Sequence, residues 1–416
     1  MCNNGEKMER KEKDTLAYIV ENMPLAIKRG EFIEKPYTVP CIGEGFINFY
    51  YWDTYFTNLG LLEINPEQAK NNLDVMRFFV KKYGFVPNAD HLLDRSQPPL
   101  FTRGVYDYYQ STGDVEEVKE CYPFMLIEYN FWQTKRATPI GLNRYYSELE
   151  GDDCRNFYRG VLEGRLQRPV REGVDEVSEG KHLLAIAESG WDFNPRYKTD
   201  YSEFACADFA AVDLNSILYD VEKKIAYFSQ LLGEEKNRVI FEEAAATRKA
   251  AMQKYMRGEN GIYLDYNYVT EARSEVLSVA SVLPYALGIA DDRESLSLIM
   301  DRLQAKYGVL TCEKRANHTG EYQWDYPNMW PPMVYFVLNA LVNVGMTEKA
   351  AEIASSYRTM VDECLEKTGH LWEKYNAIDG TPAVNNEYDT PPMMGWTAGL
   401  YIYSKNFLKN PANTAE

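Results

Sequence analysis

Two kinds of helical segment alternate along the chain, and this alternation constrains the fold more strongly than any other feature of the sequence. The first kind is amphipathic. In residues 65–84 (NPEQAKNNLDVMRFFVKKYG), Asn65 can cap a helix, Pro66 suits its first turn and Gly84 can end it. The same plan recurs in residues 114–132 and 347–369. A single apolar face predicts that these helices lie on the outside of the fold.

Segments of the second kind are apolar or aromatic nearly all round, which is typical of helices that are buried on most sides. They are residues 49–62, 98–109, 331–342 and 391–403. Three of the four begin with a Pro-Pro pair, which predicts a helix start there, because proline fits a first turn whose N–H needs no partner. A polar, aromatic-rich loop precedes each segment.

The whole pattern predicts an all-α fold with an inner ring of buried helices and an outer ring of amphipathic ones. Roughly twelve helical segments can be read from the periodicity, with only short strand-like pieces such as residues 261–269. No Gly/Ser-rich linker divides the chain, so we expect a single catalytic domain over residues 1–416. The loops before the inner helices should converge on one mouth.

The composition disfavours several classes of partner. A formal net charge of −17 argues against nucleic acid and anionic membranes. The chain has no apolar run of 18 residues and no apolar N-terminal stretch, so we expect neither a membrane span nor a signal peptide. Seven scattered Cys without a CxxC pair predict buried free thiols in a reducing, cytoplasmic compartment. The four His show no metal-ligand spacing. The oligomeric state stays open.

The dipeptide Trp-Asp occurs three times, in aromatic, loop-like surroundings, at residues 52–53, 191–192 and 324–325. These spacings are far longer than the period of about 40–45 residues of a WD-repeat propeller. A carboxyl group beside Trp is partly desolvated, which raises its pKa and lets it act as a general acid. The alternative is that each Asp caps a helix while its Trp packs. Three such pairs, together with 32 Tyr, favour a shared sugar site.

Hydrolysis of a glycoside needs two carboxyl groups on opposite sides of the scissile bond. The residue types alone do not choose among the candidates, which are Asp53, Glu188, Asp192, Glu321, Asp325, Glu387 and Asp389.

Five blocks of the sequence resemble the trehalase family of glycoside hydrolases. Residues 323–332 (QWDYPNMWPP) are similar to its signature Q-W-D-x-P-x-G-W-x-P. Residues 187–197 (AESGWDFNPRY) resemble the family's A-E-S-G-W-D-F-S-x-R-W. The other blocks are residues 46–56, 81–102 and 385–401. All five occur in the family's order and cover nearly the whole chain.

The resemblance implies an (α/α)6 toroid, a six-hairpin barrel, that acts on a small carbohydrate as an inverting glycosidase without a metal or cofactor. Motif matching implies that Asp192 is the general acid and Glu387 the general base. In inverting enzymes such carboxyls lie roughly 6.5–9.5 Å apart. The positions implied for substrate binding are Trp52, Asp53, Asn88, Arg95, Gln97, Arg168, Glu188, Trp191, Trp324, Asp325 and Trp396. For Asp325, a loop-fixing cap is an equal alternative.

Departures from the family pattern bear on the leaving group. Ile47 stands where trehalases have Arg, and Met329 replaces a Gly. Because Ile47 offers no hydrogen bond to a sugar hydroxyl, we expect trehalose to be a poorer substrate than another α-glucoside. The leading hypothesis is an exo-acting α-glucoside hydrolase that releases glucose. The alternatives are the same mechanism on an oligosaccharide or glucosyl conjugate, and a non-catalytic sugar sensor, against which both carboxyls count.

Overall fold

Helices dominate the computed structural model, which describes residues 14–30, 34–316, 322–382, 387–389, 391–392 and 394–410. The α-helices in this part of the chain are α1 (14–22), α2 (Tyr51–Ile64), α3 (Pro66–Tyr83), α4 (Phe101–Thr112), α5 (Val115–Lys135), α6 (Asp152–Arg159), α7 (Glu176–Ser189), α8 (Val212–Leu232), α9 (Glu235–Tyr255), α10 (Leu283–Ala286), α11 (Arg293–Leu303), α12 (Pro331–Asn343), α13 (Thr347–Thr368) and α14 (Gly395–Lys409).

The described strands are two residues long and pair antiparallel, in four small sheets. They are β1 (Ile27–Lys28) with β2 (Tyr37–Thr38), β3 (Phe209–Ala210) with β4 (Tyr266–Asn267) and β5 (Ala272–Arg273), β6 (Gln304–Ala305) with β7 (Gly308–Val309), and β8 (Asn328–Met329) with β9 (Tyr375–Asn376). They brace loops and form no separate layer, as the short strand-like sequence pieces predicted.

Six helices pack side by side in a closed ring, which confirms the predicted toroid. The order around the ring is α2, α4, α8, α10, α12 and α14, and α14 returns to α2. The closing contact depends on two glycines, because a Cβ on Gly399 would collide with the carbonyl oxygen of Phe56, and one on Gly60 would meet the Gly399 backbone. Outer helices pack behind the ring, with α3 against α2 and α4, α5 against α4 and α8, α9 against α8, and α13 against α12 and α14.

The predicted helix ends of the outer ring are confirmed at both α3 and α13. The Asn65 side chain accepts a hydrogen bond from the Gln68 N–H at 3.2 Å, and Gly84 ends α3 with a φ of 85°. Helix α13 ends at Gly369, which also adopts a left-handed conformation. These ends follow from local chemistry, namely a side-chain cap and a residue without Cβ.

The Pro-Pro prediction holds for α12, which begins at Pro331, and was wrong for α4 and α14. Pro98-Pro99 lies in the loop before α4. Before α14, the Pro391 carbonyl accepts a hydrogen bond from the Glu373 N–H at 3.2 Å, so this pair is tied to the 372–375 segment instead of starting the helix.

Helices α6 and α7 pack on each other outside the ring and account for the helices beyond the predicted twelve. Helix α7 is buried from His182 to Ser189, in a second apolar cluster that includes Trp132, Phe193 and Leu214. Trp132 belongs to α5 and Leu214 to α8, so this cluster joins α7 to both helices. Within the described residues, no helix combines the length and apolarity needed to cross a bilayer.

Candidate active site

A cavity of about 610 Å³ opens where the loops before α2, α4, α12 and α14 meet the loop after α7. This confirms that the loops of the inner helices converge on one mouth. The structure brings together eight of the predicted site residues in its lining: Trp52, Asp53, Asn88, Arg95, Gln97, Asp192, Trp324 and Trp396. A volume of this size suits a small ligand.

The start of α2 and the loop before α4 build one wall of the cavity together. The Gln97 side-chain oxygen accepts a hydrogen bond from the Trp52 N–H at 3.0 Å, so it caps α2 from another loop. The Asn88 carbonyl accepts from the Tyr51 N–H at 3.0 Å. These bonds satisfy N–H groups that a helix start leaves free, and they fix the first turn of α2, which carries Asp53.

Asp192 and Glu387 meet through one guanidinium group. Arg165 donates from Nη1 to Asp192 Oδ2 at 2.6 Å and from Nη2 to Glu387 Oε2 at 2.9 Å. The Asp192 side chain is 28% exposed, whereas Glu387 is fully buried. Asp192 therefore lines the cavity, whereas Glu387 is enclosed next to it and is not among the described lining residues.

Gln323 ties this pair to the rest of the site. Its backbone N–H donates to Glu387 Oε1 at 2.9 Å, and its side-chain nitrogen donates to the Asp192 carbonyl at 2.5 Å. Its side-chain oxygen accepts from Lys374 Nζ at 3.0 Å, and Lys374 also pairs with Glu373. The backbone N–H of Gln323 thus contacts Glu387, while its side chain contacts the Asp192 loop and a buried cation.

Burial changes the protonation of two carboxyl groups in the site. It raises the pKa of Glu387 to about 7, although the Arg165 guanidinium and the Gln323 N–H act in the opposite direction. Burial and the nearby Glu373 also hold the pKa of Asp53 well above its usual range. A neutral Asp53 can donate a hydrogen bond to a ligand hydroxyl. Glu387 can exchange a proton near neutral pH.

Five tryptophans pack beneath the cavity. The rings of Trp324 and Trp330 stack at 3.9 Å, and Trp324 also contacts Trp191 and Trp52, with ring centroids 4.9 and 5.5 Å away. Trp396 lies against Trp52 and Trp330. Trp324 lines the cavity but keeps only 1% of its surface exposed, so most of its ring packs against the other tryptophans.

The structure does not bring Glu188 or Trp191 into the cavity lining. Glu188 is fully buried, and its carboxylate accepts two hydrogen bonds from Arg136 and two from backbone N–H groups. The Glu188 side chain lies in the core, and its contact with Arg136 joins α7 to the end of α5. Trp191 packs between Trp324 and the Arg196 guanidinium, 4.5 Å from its ring.

Arg168 and Asp325 also lie away from the cavity. Arg168 pairs with Glu203 at 2.7 Å. Asp325 receives two hydrogen bonds from Arg315, at 3.1 and 2.6 Å, and one from the Tyr326 N–H at 2.7 Å. These contacts favour the loop-fixing alternative for Asp325. Glu321, one of the seven carboxyl candidates, lies outside the described residues.

Sequence reasoning missed Arg165 and Glu373, which both line the cavity. Arg165 ends a six-residue π-helical segment, Gly160–Arg165, and its pattern gave no reason to prefer it to Arg168. The sequence did contain a signal for Glu373: it lies between Trp372 and Tyr375 in an aromatic segment. A charge in such surroundings is unusual unless it is paired or functional. Among the described residues, no group of three or more His, Cys, Asp and Glu side chains could hold a metal ion.

Comparison with known sequences identifies the family. The sequence profile described as Trehalase matches residues 6–409. The chain belongs to the trehalase family. It is therefore a member of a family of glycoside hydrolases. The cavity lined by Asp192 and Arg165 is the candidate active site of this trehalase family member.

Solved structures with the same fold include other glycosidases. Neutral trehalase Nth1 from Saccharomyces cerevisiae has a TM-score of 0.75 and 23% identity, covering 95% of this chain and 80% of that chain. A GH63 mannosylglycerate hydrolase from Thermus thermophilus, in complex with Tris, has a TM-score of 0.68 and 18% identity, covering 94% and 99%. A GH78 rhamnosidase of Bacillus sp. GL1 has a TM-score of 0.63 and 13% identity, covering 97% of this chain and 35% of that chain. The likeness shows the fold.

The departures from the trehalase pattern lie in different surroundings. Ile47 is 45% exposed and is not among the described lining residues. Met329 is fully buried in β8, beside Gly308, so it replaces the family's glycine in the core beneath the site. The stretch before Glu387 lies partly in residues 383–386, outside the described part of the chain.

Proposed function

We propose that this chain is an inverting, exo-acting α-glucoside hydrolase with Asp192 as general acid and Glu387 as general base. One observation carries the proposal: the guanidinium of Arg165, a residue that lines the cavity, contacts both Asp192 in the lining and the enclosed Glu387. The closed floor supports removal of one terminal sugar at a time. The assignment of the two roles follows the family match, since a carboxyl with a pKa about 7 could serve as either acid or base.

The reaction proceeds in one displacement. Asp192 donates its proton to the glycosidic oxygen as the C1–O bond breaks, and the leaving group departs as an alcohol. Water attacks C1 from the opposite face and gives its proton to Glu387. Arg165 contacts both carboxylates and offsets the negative charge that forms on Asp192. The buried polar groups of the floor, Asp53 among them, bind the hydroxyls of the sugar.

We extend the proposal to the whole chain as one catalytic domain over residues 1–416, in a reducing, cytoplasmic compartment. The family profile spans residues 6–409. The described cysteines, Cys41, Cys121, Cys154, Cys206, Cys312 and Cys364, are buried and free. Buried free thiols persist where disulfides are kept reduced.

The proposal is tested by the anomeric form of the first product. Proton NMR during early turnover of an α-glucoside should show β-glucose before mutarotation, because a single displacement inverts C1. Methyl β-glucoside serves as the control for anomeric selectivity. Initial α-glucose would contradict inversion, and a screen of disaccharides and simple glycosides that releases no sugar would contradict the hydrolase function.

The acidic limb of the pH profile should report Glu387. The base must be deprotonated to accept a proton from water, and burial raises its pKa to about 7. We therefore expect kcat/KM for a neutral glucoside to fall tenfold per pH unit below about pH 7. The measurement is kcat/KM across this range with a substrate that does not titrate. An acidic limb near the ordinary glutamate value of about 4.3 would show that the base is not desolvated.

A further inference from the structure

The cavity has two parts that differ in burial and chemistry. Its floor is buried and carries polar groups, among them Asp53, Gln97 and Glu373. Its opening carries partly exposed apolar side chains, which we name the apolar rim and define as Phe46, Tyr50, Leu92 and Pro391. The polar groups of the floor match the hydroxyls of a sugar, and its buried tryptophans match the apolar face of a sugar ring. The rim offers mainly apolar surface to the group that the sugar carries.

The two carboxyl groups orient the substrate between floor and rim. A general acid must touch the oxygen of the leaving group. Asp192 is the more exposed of the pair, at 28% against 0% for Glu387, and so it faces the opening. A sugar bound on the floor would therefore direct its leaving group toward the apolar rim.

The rim is fixed by its own packing. The Phe46 ring packs edge-to-face with Tyr50 at 5.5 Å and with Tyr388 at 6.1 Å. The Phe46 carbonyl accepts a hydrogen bond from the Cys41 N–H at 3.1 Å, which closes the turn 41–46. Gly45 has a φ of 96°, a left-handed conformation that favours glycine at this point of the turn. A preformed apolar surface binds an apolar group without the cost of ordering it.

Charge at the opening disfavours an anionic leaving group. Among the described residues there, Asp192 and exposed Asp389 are both acidic. The described lining has two cations: the terminal nitrogens of Arg165 contact Asp192 and Glu387, and Arg95 pairs with Asp94 at 2.7 Å. A carboxylate on the leaving group would meet like charge, while both described cations of the lining already pair with carboxylates of the protein.

We propose that the leaving group of the substrate is an uncharged alcohol with an apolar face, such as an alkyl or aryl alcohol, bound against the apolar rim. This rests on the hydrolase function proposed above. The C1–O bond breaks, the departing oxygen takes the Asp192 proton to become ROH, and water supplies the new hydroxyl at C1. The rim then releases a neutral product into solvent.

The test compares hexyl and methyl α-D-glucopyranosides, whose alcohols are similar in acidity, so the difference reports contact with the leaving group. We expect kcat/KM for the hexyl glucoside to exceed that for the methyl glucoside by at least about tenfold. Phe46→Ala and Leu92→Ala should each reduce this ratio severalfold while leaving inhibition by glucose nearly unchanged. Leu93→Ala is the matched control, because Leu93 is 42% exposed and is not among the described lining residues.

A hexyl-to-methyl ratio near one, or higher kcat/KM for glucosylglycerate or trehalose, would overturn the proposal. Calorimetric titration of both alkyl glucosides into Asp192→Asn separates it from the hydrolase function, since binding needs no turnover. Tighter binding of the hexyl glucoside would support binding of the leaving group by the apolar rim even if no glucoside were hydrolysed. Equal binding of the two glucosides would overturn that proposal. Melting temperatures of Phe46→Ala and Leu92→Ala identify a variant that fails to fold. The hexyl-to-methyl ratio of the other variant then decides the test.

Discussion

Replacing Asp192 by Asn or Glu387 by Gln is expected to lower kcat for α-glucoside hydrolysis by about 10²–10⁴-fold, the usual contribution of general acid–base catalysis. Both substitutions keep the shape of the side chain and remove its ability to exchange a proton. The fold should persist in both. For Glu387→Gln the melting temperature should hold or rise, because burial already disfavours the charged form and raises its pKa to about 7.

Glu188→Gln provides the contrast within the same sequence block. Glu188 is fully buried, and two of its hydrogen bonds join it to Arg136. Breaking such a buried pair costs about 3–5 kcal/mol of stability. We therefore expect Glu188→Gln to lower the melting temperature markedly, whereas Asp192→Asn lowers kcat without a comparable change. Near-normal kcat in either active-site variant would remove that residue from the mechanism.

The two roles can be separated with α-glucosyl fluoride, whose leaving group needs little help from an acid. Asp192→Asn should recover much of its activity on the fluoride, since only protonation of the leaving group has been lost. Glu387→Gln should remain slow, because activation of water is still missing. The reverse pattern would exchange the roles of acid and base.

Much of the toroid could be predicted from local patterns. Segments such as α2 and α12 are apolar on every side, and caps such as Asn65 and Gly84 mark helix ends through contacts within a few residues. The Pro-Pro pairs misled for α4 and α14 because a tertiary contact, such as that between Pro391 and Glu373, decides where the helix begins. Closure of the ring depends on contacts between distant helices that periodicity does not encode.

The candidate site could be predicted only in part. Glu188 and Asp192 lie four residues apart, and the left-handed turn at Gly190, with a φ of 76°, sends the first into the core and the second to the cavity. The contact between Arg165 and Glu387 joins residues 222 positions apart. From the sequence, only the family resemblance indicated that the blocks containing Asp192 and Glu387 belong to one site. The choice of Arg165 over Arg168 depends on the winding of residues 160–165, which the sequence pattern does not reveal.

Replacing Arg165 by Gln is expected to lower kcat by about 10²–10³-fold, as for removal of a preorganised charged donor at a reacting centre. Two effects combine. The carboxylates of Asp192 and Glu387 lose the group that holds them together. The pKa of Glu387 also rises, because Arg165 normally lowers it. The base is then protonated over a wider pH range, and the acidic limb of kcat/KM should move above about pH 7.

The pH profile distinguishes this positioning role from a merely structural one. Arg165→Lys keeps the positive charge but not the planar fork, so it should leave the acidic limb nearer its original position while kcat stays low. Arg159→Gln is the matched control. Arg159 precedes Arg165 by six residues and forms an exposed pair with Glu176, and such exposed pairs contribute little to stability. If Arg165→Gln lowered kcat without moving the acidic limb, Arg165 would position the carboxyl groups without tuning the proton affinity of Glu387. If instead kcat of Arg165→Gln stayed near that of Arg159→Gln, the contacts of Arg165 with Asp192 and Glu387 would have no part in the reaction.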